Sequence, residues 1–212
     1  YFMEQGKVTA KSVLIALIGI LLVGVGVAFN NCAGLGNDPV GIVYDGIRNV
    51  TGMGAEQLGL ASNIVNLSLA LLVFFTGRKY ISVGTLVYFL PYGFFVELGI
   101  LLYQFLAPET GGLAVQIAFS VVGCLLLYLG VAVYITMDIG VDPFTGIVLV
   151  IRDAVKKEYR IVKIIFDITM IILGTVLGGK LGAVTIITAL TAGPVIQFFS
   201  EELHRILIRE PS

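Results

Sequence analysis

Apolar residues run through this chain in stretches of about 20, longer and more continuous than the alternation of a strand or the single stripe of a surface helix. Read as helices, the stretches near 11–29, 58–76, 82–105, 113–136, 162–178 and 182–203 match the length of roughly 20 residues that crosses a hydrocarbon core. Two shorter segments, 39–50 and 143–157, interrupt this series. The first would reach only about 18 Å at 1.5 Å per residue, roughly half a membrane. Each opens on Asp-Pro, with the aspartate placed to cap the helix and the proline suited to its first turn. Each also follows a polar, glycine-bearing break, Asn30 to Asp38 and Asp138 to Asp142. Pro91 and Pro194 predict kinks in the spans that hold them.

The breaks are copies of one another, roughly 100 residues apart. Gly26, Gly36, Asp38, Pro39, Ile47 and Arg48 align with Gly130, Gly140, Asp142, Pro143, Ile151 and Arg152. Thr85 and Gly93 align with Thr185 and Gly193 under a slightly shorter shift. The expected architecture is therefore an all-α polytopic membrane protein of two homologous repeats, 1–108 and 109–212. Each repeat holds three long transmembrane helices and one short, broken half helix.

Composition fits this pattern. Hydrophobic residues make up 58% and charged residues 13%, with mean hydropathy +1.00, against about 25% charged residues in a soluble domain. The net charge of -1 supplies no basic surface for nucleic acid. Cys32 and Cys124 give no disulfide framework and read as packing residues. The first apolar run is too long for a signal-peptide core, and Phe29-Asn30-Asn31 makes a poor cleavage site.

With six crossings, both termini share one side with every lysine and arginine except Arg48 and Lys180. That side is the cytoplasmic one by the positive-inside rule, which gives a bacterial inner membrane protein and inverted repeats. The acidic linker at Pro108-Glu109 suits the outside. Eight crossings with parallel repeats form the alternative.

Acidic groups within such spans normally face a cavity or a partner. Asp38 and Asp142 could cap helices only, or line a central site between the halves, where broken helices in two repeats commonly bind solute. Asn63, Asn66 and Tyr44 join them as candidate substrate contacts, with interhelical glue or packing as the alternative use. Tyr88 and Tyr92 read as packing or interfacial belt residues. Asp45 and Arg48 stand one turn apart and can pair. Glu97 and Asp167 are the candidates for proton or ion coupling. A single histidine, His204, excludes an HExxH zinc site, and neither a G-x-S-x-G elbow nor a P-loop is present. No enzyme, cofactor or metal is expected. The partners implied are the bilayer, a small-molecule solute and, as an option, a second copy in a homodimer.

The Gly34-Leu35-Gly36-Asn37-Asp38-Pro39 step, the Thr51-Gly52 turn and Gly84-Thr85 resemble the YczE/YitT-like bacterial integral membrane proteins. In the second half Gly140-Val141-Asp142-Pro143, Gly178-Gly179-Lys180-Leu181-Gly182 and Gly193-Pro194 with Gln197 carry the same resemblance. It covers nearly the whole chain and implies transport through its architecture. Together these features predict a small secondary transporter for a small organic solute, an amine given the acidic excess, with ion or proton coupling. A membrane scaffold or accessory subunit of an export or biosynthetic complex, and a channel, are the alternatives.

Overall fold

The computed structural model describes residues 8–107 and 112–207; the Pro108-Glu109 linker lies outside them. Among the described residues there are eight α-helices and no strand. They are α1 (Ala10–Ala33), α2 (Pro39–Val50), α3 (Leu58–Thr76), α4 (Val83–Leu106), α5 (Gly112–Thr136), α6 (Pro143–Val155), α7 (Tyr159–Val176) and α8 (Ala183–Leu207). By length and composition α1, α3 with its preceding 3-10 turn, α4, α5 and α8 are able to cross a membrane. The sixth expected span, α7, has 18 residues but carries Arg160, Lys163 and Asp167. Its outer faces remain apolar, with Ile165, Ile168 and Ile172 exposed.

The centre of the bundle is the α1–α5 pair, joined through glycines. A Cβ on Gly19 would stand 2.8 Å from the Gly130 carbonyl oxygen, and one on Gly26 would stand 2.6 Å from that of Gly123. Small residues let the two backbones approach this closely, where dispersion is gained without side chains between. Residue numbers rise along α1 as they fall along α5, so the helices are antiparallel. On α4 the order is reversed: Gly24 meets Phe95 and Val96, and Gly99 meets Val25 and Ala28, so α4 runs parallel to α1. The face where α1 begins is termed proximal, and the opposite face distal.

α1 runs on beyond the end expected near residue 29. Asn30 is fully buried against Gly123, so the polar pair Asn30-Asn31 continues the helix instead of ending it. Gly34 then closes it in the left-handed conformation (φ 75°). From there the chain turns back into the bundle. Asn37 Nδ2 donates to the Val27 carbonyl (3.1 Å), roughly six residues or about 9 Å short of the helix end. α2 then climbs to the distal face, where Asn49 donates to the Gly178 carbonyl (2.6 Å) and α3 begins beside Glu97 of α4. α2 thus returns to the face that α1 left. α6 does the same at the proximal face, with Gly146 against Val73 and Arg152 and Asp153 beside the Arg78–Tyr80 turn.

Asp153 fixes that end of α6 by accepting from Lys79 (2.6 Å), from the Tyr80 hydroxyl and from Arg152 (2.7 Å). The Lys79 ammonium first, then Tyr80 and Arg152, hold its carboxyl well below the usual carboxylate range. A depressed carboxylate stabilises above its ordinary pKa and loses that effect only as pH falls through the lowered one. This anchor therefore persists in acid.

The α1–α5 seam makes a direct prediction. Gly26→Ala forces a methyl onto a carbonyl oxygen and should destabilise by about 1–3 kcal/mol, the usual range for overpacking. Gly193→Ala on α8, where a Cβ would meet nothing within 4 Å, should be neutral or stabilising through helix propensity. Thermal unfolding of the purified protein checks both; equal melting temperatures for the two variants would contradict the seam.

Candidate functional site

Both breaks put irregular backbone inside the bundle, which is tolerated there only if its polar groups find partners. Gly36 has φ +103° and Gly140 φ +141°, values that favour glycine, and a Cβ on Gly36 would stand 2.7 Å from the Gly182 nitrogen. The carbonyl of Leu35 accepts from Val184 N at the start of α8 (3.0 Å). In the second break Ile139 O accepts from Gly84 N (3.1 Å), and Val141 O accepts from Thr85 Oγ1 (2.8 Å). Each break is therefore held by the last helix of the other half.

The two aspartates cap α2 and α6 as their sequence position predicts, but not equally. Asp142 is fully used: Oδ1 accepts from Phe144 N and Thr145 N, both at 3.0 Å, and Oδ2 accepts from Thr145 Oγ1 at 2.5 Å. Asp38 accepts from Val40 N at 3.2 Å on Oδ2, and the Gly41 N–H also lies near its carboxylate. Its Oδ1 is shut away from solvent and has no partner. The position equivalent to Thr145 is Gly41, which offers no hydroxyl. A buried carboxylate oxygen left unpartnered is costly, and this separates Asp38 from the fully bonded Asp142.

Within electrostatic reach of Asp38 lies a cluster of aromatic rings. Tyr44 and Tyr92 are each 1% exposed. Tyr44 lies 5.7 Å from Tyr92 and 5.9 Å from Phe144 between ring centroids, and Tyr92 stacks on Tyr88 at 5.3 Å. Tyr88 and Tyr92 are core residues, not an interfacial belt. Asp38 and Asp142 both lie within electrostatic reach of Tyr88 and Tyr92. The Tyr44 hydroxyl accepts from Asn66 Nδ2 (2.9 Å), which also donates to Ser62 O (2.9 Å). Asn66 Oδ1, buried and unpartnered, is a second orphan acceptor.

The remaining candidates separate. Asn63 accepts from Gly93 N (3.0 Å), just past Pro91, and splices the proline turn of α4 to α3. Asp167 pairs with Lys163 one turn away, and both lie within electrostatic reach of Asp38. Glu97 is elsewhere, in a distal crevice of about 340 Å³ with Glu56, Gln57 and Gln104. Asp45 is 2% exposed and bonds Arg48 (2.8 Å) and Lys180 N (2.9 Å), an ion pair that locks α2 to the α7–α8 turn. Asn30, to which its sequence context gives no role, stands buried at the α1–α5 seam with its Nδ2 unpartnered. Its place in the polar step before the break was the available signal.

A profile of a family of unknown function, DUF6198, matches residues 10–201. An uncharacterized protein of Haemophilus influenzae is 29% identical over 196 residues, 92% of this chain and 86% of that one. The uncharacterized protein YyaS of Bacillus subtilis is 25% identical over 194 residues, 89% of this chain and 92% of its own. The uncharacterized membrane protein YczE of the same organism is 27% identical over 132 residues, 61% of this chain and 60% of its own. No solved structure matches the chain.

The unequal caps predict unequal costs. Asp142→Ala removes three hydrogen bonds and should cost about 1–2 kcal/mol, the upper range for an N-cap. Asp38→Asn removes a buried charge while keeping an acceptor, and should leave the melting temperature unchanged or raise it. Calorimetry on the purified variants decides; a larger loss for Asp38→Asn would show that its carboxylate is structural.

Proposed function

The chain belongs to the DUF6198 family of unknown function and is a multi-pass helical membrane protein; we propose that it is a small secondary transporter for a small organic solute bearing an amine or quaternary ammonium group. One observation carries this reading: the unpartnered Oδ1 of Asp38, a residue within electrostatic reach of the Tyr44–Tyr92–Tyr88 cluster. A carboxylate with aromatic faces is the chemistry that receives an organic cation, since ring quadrupoles attract a desolvated positive charge by about 2 kcal/mol or more. Asp38 and Tyr44 are the primary contacts; Asn66 orients Tyr44, and Asp142 holds the facing break.

In this reading the halves 1–108 and 109–212 are inverted repeats, each with three crossings and one re-entrant helix. The antiparallel α1–α5 pair supports it, as do α2 and α6 returning to the faces they left. Pairings also recur between the halves: α1 with α4 and α5 with α8, α2 with α7 and α3 with α6. The proximal face carries Arg78, Lys79, Lys156 and Lys157 and is assigned to the cytoplasm. Alternating access then follows from rocking one half against the other about a fixed site. Asp167 is the proton carrier, because its pair with Lys163 lies within reach of Asp38. Glu97 belongs to the distal entrance.

Counterflow in reconstituted vesicles tests the proposal, with labelled tetramethylammonium as probe and succinate as anionic control. Saturable exchange of the cation alone is expected, lost at least tenfold in Asp38→Asn. Asp167→Asn should keep exchange and lose pH-driven uptake, whereas Glu97→Gln should keep both. Flux that does not saturate would make the protein a channel. Asp38→Asn vesicles that match the parent would remove the site from Asp38.

A further inference from the structure

The loop between α6 and α7 is the most basic stretch of the chain, and it sits at the mouth of a membrane-facing groove. The groove, of about 480 Å³, is lined by Val155 of α6, by Ile161, Ile165, Phe166 and Met170 of α7, and by Lys157 at its rim. Val155 is 50% exposed and Ile165 60%, so the groove opens outward, away from the helix seams. Two of the neighbouring cations are already committed, Arg152 to Asp153 and Lys163 to Asp167. Lys156, Lys157 and Arg160 are exposed and make no ion pair among the described residues. The left-handed Lys156 (φ 54°) ends α6 and turns the chain so that Lys157 reaches the groove.

We propose that this groove holds one anionic phospholipid of the surrounding bilayer. One acyl chain lies along Val155, Ile165 and Met170, and the phosphate rests on Lys157 with Arg160 or Lys156 beside it. Charge complementarity selects the occupant. An apolar trough alone would take any acyl chain, but Lys157 at its rim, with Lys156 and Arg160 in the same loop, favours a net-negative headgroup over a zwitterionic one, each cation contributing about fivefold near a membrane surface. The trough floor also touches the functional region. Phe166 lines it and packs on Phe144 at 6.2 Å, and Phe144 packs on Tyr44 at 5.9 Å. The bound chain therefore buttresses the aromatic series that runs through Phe144 to Tyr44.

Native mass spectrometry of the purified protein, given equal amounts of phosphatidylglycerol and phosphatidylcholine, tests this. One retained phosphatidylglycerol per chain is expected, with a preference of about tenfold or more over phosphatidylcholine. Lys157→Gln with Arg160→Gln, both at exposed positions, should bring that preference to near one. Thr169→Trp, which fills the trough and leaves the cations in place, should reduce retention of both lipids. Headgroup-blind retention in the parent would overturn the proposal, as would unchanged retention in Thr169→Trp. A dimer mass without lipid, lost in Thr169→Trp, would assign the trough to a second copy of the chain and overturn it equally.

Discussion

Backbone left unwound inside an apolar bundle must find hydrogen-bond partners from within the protein, since no water or lipid supplies them. That constraint organises this molecule. The breaks at 34–38 and 138–142 expose carbonyls that only neighbouring helix starts reach: Val184 donates to Leu35, and Gly84 and Thr85 to Ile139 and Val141. Each half is consequently completed by the other. The glycines follow from the same need, because Gly36 lies against Gly182 and Gly84 against the Ile139 carbonyl with no room for a Cβ. Loss of any of these glycines would part a break from its partner helix before disturbing a span.

Within this frame the two Asp-Pro steps have diverged in use. Thr145 closes the second cap by donating its hydroxyl to Asp142, whereas Gly41 at the equivalent position leaves Asp38 with a free oxygen. The aromatic residues differ likewise: the position in α6 equivalent to Tyr44 of α2 is Val148. In the proposed reading, inverted repeats supply the two-state motion, and Asp38 with the tyrosines supplies recognition.

Much of this was legible in the sequence. Long apolar runs, duplicated Asp-Pro steps and glycine spacing are one-dimensional signals, and they gave the helices, the breaks and the Asp45–Arg48 pair. The helix ends were less legible, because burial of Asn30 against Gly123 overrides its local preference to end α1. The relation among the acids was not legible at all. Glu97 and Asp167 look alike as charges within spans, yet one lines a distal crevice while the other pairs with Lys163 near Asp38. Only the packing of α4 against α3, and of α7 against α2, separates them. The inequality of Asp38 and Asp142 rests on residue 41 against residue 145, a difference whose meaning appears only with the cap geometry.

Whether the Asp38 carboxylate meets the solute is decided by infrared difference spectroscopy of the purified protein, with and without tetramethylammonium. A ligand-induced shift of a carboxylate band, absent in Asp38→Asn and present in Asp142→Asn, is the predicted result. A shift that survives Asp38→Asn, or no carboxylate change at any concentration that supports exchange, would contradict that contact.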